Sequence, residues 1–182
     1  MPNPIELLKS QIDQAALWQG EKRLRRGDFL RQRGDVEQHL YFVRAGALRV
    51  YVSTGEEERV IRFGYDGSFI NALDSFISQQ PTACYVQALR ACDLLYIGRD
   101  TFLEFVRADS DRLRLWSDLM MALVHQQIER EIDLLMDSPA ERYARVFRRS
   151  PQLFQLVPAC HIASYLRMRA ETLSRLKKQF EG

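Results

Sequence analysis

The residues best placed to do chemistry lie near the carboxyl end, in "IASYLRMRAETLSRLKKQ", residues 162–179. Ile162, Leu166, Leu173 and Leu176 fall at the spacing that packs two short helices on a shared core. Met168 sits in the break, and the small Ala163 sits where the helices must touch. The second helix then projects Ala170, Glu171, Ser174 and Arg175 from its other face, with Thr172 beside them. An α-helix fits the major groove of duplex DNA, so such side chains can reach base edges. Arg175 can pair bidentately with guanine, and Glu171 can accept from a cytosine amino group. Lys177, Lys178 and Arg169 suit phosphates, which add affinity without sequence information. Arg167 occupies the break, where glycine is common; a left-handed non-glycine residue costs on the order of 1 kcal/mol. Arg169 also stands where a Ser or Thr cap is usual, another ~1 kcal/mol. The plainer alternative is two packed helices with a basic end and no DNA.

Charge placement favours the polyanion. Residues 137–182 hold nine Lys/Arg against four Asp/Glu, net +5, while residues 1–136 hold seventeen against twenty, net −3. The whole chain, 182 residues at +2, is long enough for one large domain or two small ones. Its longest strictly apolar run, 119–124, is far short of a membrane span, and residues 1–18 lack a secretory h-region. The sequence therefore predicts a cytoplasmic protein with no membrane partner. Cys84, Cys92 and Cys160 are far apart in sequence and read as incidental thiols.

The elements that must carry the basic end follow from periodicity. Ile5, Leu8 and Ile12 mark an amino-terminal helix. From about 21 to 100, glycine-punctuated short apolar runs predict antiparallel strands in a sandwich, roll or barrel. Leu48, Val50 and Val52 alternate with Arg49 and Tyr51, a strand with one wet face, and Thr54-Gly55-Glu56 turns it back. Residues 99–106 form a short helix, and Asp109-Ser110-Asp111 caps a long one over 111–136. That helix is apolar on two sides and must be covered twice, by its own β-domain and by a second copy of the chain. The candidate dimer residues are Trp116, Met120, Val124, Ile128 and Leu135. Ser138-Pro139 starts a helix over 139–149, and the terminal pair follows. Domains are thus expected at 1–110, 111–136 and 137–182.

"RRGDFLRQRGDVEQHLYFVRAGALRVY" (25–51), "AERYARVFRRSPQLFQLVP" (140–158) and "IASYL…AETLSRLKK" together resemble the cyclic-AMP receptor protein / fumarate-nitrate regulator (Crp/Fnr) family, short bacterial branch. The resemblance spans nearly the whole chain in the family's order. It implies an α+β fold: a cyclic-nucleotide-binding-like antiparallel β-roll (jelly-roll), a long dimerisation helix and a helical winged-type helix-turn-helix domain. It also implies a homodimer on a palindromic operator in double-stranded DNA, with RNA polymerase as a further partner.

The family's nucleotide cassette opens with Phe-Gly-Glu and closes with Arg, a small hydroxyl residue and Ala. Here the opening reads Phe69-Ile70-Asn71 and the closing Gln80-Pro81-Thr82-Ala83, and no arginine lies between Arg62 and Arg90. The phosphate loses its forked donor and the ribose its carboxylate. Ordinary cyclic-AMP binding is not expected; the pocket is remodelled for another ligand or filled by its own side chains. An iron–sulfur sensor needs clustered amino-terminal cysteines, and the first here is Cys84; a haem sensor would have only His39 and Cys84 in the roll. A cupin-type metalloenzyme needs converging histidines, but His125 and His161 lie on helices. No catalytic residue, cofactor or metal is assigned. The competing reading is a dimeric sensing or protein-interaction module without DNA binding.

Overall fold

The computed structural model describes residues 3–55 and 57–181. Helix α1 (Pro4–Gln14) starts at Asn3, whose side chain accepts from the Ile5 amide, and buries Leu8 and Ile12. The roll then forms two four-stranded antiparallel sheets. One runs in the order β1 (Gly20–Leu24), β8 (Cys92–Gly98), β3 (His39–Ala45), β6 (Phe69–Ile70). The other runs β2 (Phe29–Arg31), β7 (Tyr85–Ala88), β4 (Ala47–Thr54), β5 (Glu57–Tyr65). Their inner faces close over Val43, Leu48, Val50, Ile70, Val86 and Leu94. A tight corner joins β3 to β4 at Gly46 (φ 120°), where any Cβ would lie 2.5 Å from Cys92 Sγ. The predicted turn returning β4 to β5 includes Gly55 at φ 66°; its last residue, Glu56, lies outside the described residues.

A short helix α2 (Leu73–Ser78) interrupts the roll between β6 and β7, and α3 (Arg99–Arg107) follows it. The long helix α4 (Ser110–Leu135) begins as expected at Asp109, whose carboxylate accepts from the Asp111 and Arg112 amides (3.0 and 2.9 Å). Its inner side packs Leu115, Trp116 and Leu119 on a cluster of Leu8, Ile12, Phe76, Ile97 and Phe102. Then come α5 (Pro139–Arg149), α6 (Leu153–Leu156), α7 (Ala159–Tyr165) and α8 (Ala170–Glu181) around Tyr143, Val146, Ile162, Leu166, Leu173 and Leu176. Asp133 of α4 is buried and ties the two parts together. It accepts from Arg145 Nε (2.8 Å) and from Arg149 Nη2, and Glu129 adds a second carboxylate.

The α+β roll, long helix and terminal helix pair are as the sequence predicts, with two corrections. The β4 strand has no wet face: Arg49 and Tyr51 are buried, because α7 lies against Arg49 and Tyr85 stacks on Tyr51 (5.1 Å). The winged form is also absent among the described residues, where no strand follows Gly98. Leu153 and Phe154 instead turn once as α6 and bury against Tyr143.

Candidate nucleic-acid interface and sensor site

The break between α7 and α8 is built from backbone bonds that glycine would make without strain. Arg167 takes φ 49°. Its amide donates to the Ser164 carbonyl (3.2 Å), and the Met168 amide donates to the Ala163 carbonyl (3.0 Å). That is the Schellman pattern of a left-handed helix stop. Arg142 of α5 holds the break from below, its Nε donating to the Leu166 carbonyl (3.0 Å) and Nη1 to the Met136 carbonyl (2.5 Å). Those bonds offset the left-handed cost, and sequence reasoning missed Arg142 because its partners are carbonyls remote in sequence.

With Leu173 and Leu176 buried, Ala170, Glu171, Ser174, Arg175 and Lys178 line one open, shallow surface of α8. Arg169 is exposed at its start, while Thr172 and Lys177 lie half-buried on the flank rather than on the open face. The structure thus brings the predicted base-reading residues together with Lys178, and sets Thr172 and Lys177 aside.

On α4 the exposed apolar side chains are Leu113, Met121, Val124, Ile128 and Leu135. They recur at helical spacing and form an outer stripe. Of the residues expected at a dimer seam, Val124, Ile128 and Leu135 lie on this stripe. Trp116 and Met120 do not: Trp116 packs edge-on to Phe102 (4.9 Å) and Met120 lines a cavity against the roll. The helix needs its bulkiest residue, tryptophan, to seal its own roll, so Met121, one residue on, takes the outer position.

In the roll, Ile70 and Asn71 are buried, and Phe69 edges on Phe42 (5.4 Å). At the other end of the cassette, Thr82 Oγ1 donates to the Asp74 carboxylate, 2.8 and 2.9 Å from its two oxygens, and the Ala83 amide donates to Asp74 Oδ2 (3.0 Å). A hydroxyl and an amide converging on an oxyanion are here satisfied by the chain's own aspartate. Deeper in, Glu37 is buried against Arg31 (2.7 Å) and accepts from the His39 and Ala72 amides; burial nevertheless pushes its carboxyl above the usual range, beyond what Arg31 restores. Cys84 and Cys92 are buried in the roll and Cys160 is exposed on α7, so the thiols sit on separate elements. Among the described residues no group of three potential metal ligands converges.

A second contact surface had no sequence signal: the seam between the terminal helices and the roll. Arg49 bonds Glu58 (2.5 Å) and Gln87, and donates to His161 Nδ1 (3.3 Å). Ser164 Oγ donates to the Glu58 carbonyl, Phe63 meets Tyr165 (5.4 Å), and Arg130 stacks over Tyr165 while donating to the Val60 carbonyl (2.6 Å). Burial, with Arg49 adjacent, holds His161 below the ordinary imidazole range, in keeping with a neutral acceptor.

Comparison with known proteins matches residues 21–109 to the cyclic nucleotide-binding domain. The chain is 26% identical to the fumarate and nitrate reduction regulatory protein of Yersinia pestis over 193 aligned positions, covering 98% of this chain and 76% of that one. The fold is similar to FixK2 from Bradyrhizobium japonicum, with TM-score 0.77 and 18% identity over 89% of this chain and 84% of that one. It is likewise similar to a CooA mutant from Carboxydothermus hydrogenoformans, with TM-score 0.74 and 18% identity over 98% and 84%. The Yersinia relative is named as a regulatory protein, and no helix among the described residues is long and apolar enough to cross a membrane. Roll, long helix and terminal helix pair in one chain are thus similar, by sequence and by fold, to proteins of the Crp/Fnr type.

Proposed function

We propose that the chain is a cytoplasmic homodimer that binds double-stranded DNA through α8 and does not take cyclic AMP in the usual way. The observation carrying the reading is the open face of α8: Glu171, Ser174, Arg175 and Lys178 stand clear of the core that Leu173 and Leu176 fill. The outer stripe of α4 supports pairing of two chains, and two-fold pairing implies a palindromic operator with half-sites about one helical turn apart. RNA polymerase is the further partner that a regulator on DNA would meet.

The state of the nucleotide cassette follows from electrostatics. A cyclic phosphate entering at Thr82 and Ala83 would meet the Asp74 carboxylate already on those donors, with Pro81 in place of the neutralising arginine.

The test is to select bound fragments from random DNA with the purified protein, then measure affinity at several salt concentrations. Binding should fall steeply with salt. Arg175→Ala should abolish preference for the selected sequence, whereas Lys178→Ala should weaken all duplexes alike and flatten the salt slope. Equal losses on selected and random DNA from both variants would refute these roles. A salt-insensitive interaction would favour the protein-docking alternative.

A further inference from the structure

A half-open cavity of about 330 Å3 lies between β5, β6 and the inner side of α4. That is at the small end of the ~300–1,000 Å3 typical of small-molecule sites. Trp116, Leu119, Met120 and Leu123 give it an apolar wall, and its polar lining includes Arg62 and Asn71 together with Asn3, Ser68, Gln126 and Gln152.

Neither Arg62 nor Asn71 is fully satisfied by the protein. Asn71 is 3% exposed, and its Nδ2 has no acceptor. A buried amide donor without a partner is rare in folded proteins and calls for an occupant. The Arg62 guanidinium makes one hydrogen bond, Nη2 to the Phe69 carbonyl (2.6 Å), and among the described residues no carboxylate pairs with it. Burial alone pulls it down to about 10, a sign of a desolvated cation lacking a counter-charge. Asp66 also lines the cavity, but it is exposed and engaged by the Gly46 amide (2.7 Å) and Arg90 (3.4 Å).

We propose that this cavity binds a small apolar monocarboxylate, its carboxylate bridging Arg62 and the Asn71 amide and its hydrocarbon body lying along Trp116, Leu119 and Leu123. This rests on the reading of the roll as a regulator's sensor and gives that sensor its ligand class. Arg62 is the one cation among the described lining residues, and a single cation suits a monoanion better than a phosphate, which calls for more positive charge. The hydroxyl-and-amide cradle of Thr82 and Ala83 is closed by Asp74. A neutral ligand would leave the guanidinium uncompensated.

The test titrates the full chain with phenylacetate and octanoate, and with phenylacetamide as the neutral isostere, by calorimetry and thermal shift. Both carboxylates should bind saturably and raise the melting temperature, and phenylacetamide should not. Arg62→Gln should weaken carboxylate binding at least about tenfold, and Arg62→Lys should weaken it less. No saturable binding of either carboxylate, equal binding of the amide, or undiminished binding in Arg62→Gln would overturn the proposal. Should circular dichroism show Arg62→Gln unfolded, Arg62→Lys and the acid–amide comparison decide. Duplex binding measured on the same preparations separates the two readings. A chain that binds its selected duplex but neither carboxylate refutes the ligand class alone; one that binds carboxylate but no duplex refutes the DNA reading alone.

Discussion

Replacing Ile128 by aspartate tests the outer stripe of α4 with little damage elsewhere. Ile128 is 51% exposed and belongs to none of the apolar clusters, so the single chain should keep its fold. The stripe leaves Leu113, Met121, Val124, Ile128 and Leu135 between 47% and 77% exposed. Full burial of one such side chain is worth roughly 1.5–3 kcal/mol, so covering what remains is worth about 6 kcal/mol per chain, or ~12 for a symmetric pair. Lost rigid-body freedom takes back at least about 4 kcal/mol. The remaining ~8 kcal/mol corresponds to a dissociation constant near 1 μM. Ile128→Asp removes about 1 kcal/mol of burial from each chain and sets two carboxylates in the seam, together roughly 4–6 kcal/mol. Dissociation should weaken by about a thousandfold or more. Sedimentation velocity between ~1 and ~100 μM should therefore find the parent dimeric in the upper range and the variant monomeric throughout, with equal helical circular dichroism. A variant still dimeric near 10 μM, or a parent monomeric at every concentration, would refute the reasoning.

Two further outcomes follow from buried polar groups. Asp133→Ala strands Arg145 and Arg149 with Glu129 alone between α4 and α5; because both guanidiniums are partly exposed, the loss should be about 3 kcal/mol, the lower end for a broken buried pair, and a urea-measured loss under ~1 kcal/mol would contradict it. Tyr41 is 2% exposed, and burial, aided by Glu37, pushes its phenol up to about 12 from 10.0, so its contribution is fully present below pH 10 and is lost as pH climbs through 12. That loss should reach about 2–3 kcal/mol in chemical unfolding, and Tyr41→Phe should flatten the slope over that window; an equally steep slope in Tyr41→Phe would contradict the assignment.

What could be read from the sequence was set by near neighbours along the chain. The cap at Asp109, the proline start of α5, the shared core of Ile162, Leu166, Leu173 and Leu176, and the left-handed Arg167 all depend on residues a few positions apart. Arg49 and Tyr51 read as a wet face because their cover, α7 and Tyr85, comes from remote parts of the chain. Trp116 illustrates the same limit. Helical spacing gives an apolar residue's angle around α4, but not which side meets the roll and which stays outside. Asp74 was invisible for a different reason: a carboxylate in a short surface helix looks like a solvated charge until Thr82 and Ala83 are seen to converge on it.

The alternation of inner and outer residues on α4 also bears on how a ligand could act at a distance. Met120 and Leu123 line the cavity, while Met121 and Val124 stand on the outer stripe. Successive residues in a helix are about 100° apart around the axis and fixed by the same backbone bonds. The two sides therefore cannot move independently: a rotation that reseats Leu123 on a ligand turns Val124 by the same angle in the proposed seam. The terminal helices would take up that rotation at a second point, because Asp133, two turns or so further along, holds α5 through Arg145 and Arg149. Against this stands the fixed seam of Arg49, Glu58 and His161, which pins α7 to the roll itself. A terminal helix pair fastened to α4 at one end and to the roll at the other must shift or strain whenever those two bodies change their relation. It is that two-point attachment, more than any single bond, that would let a small molecule beneath Trp116 change the pose of Arg175.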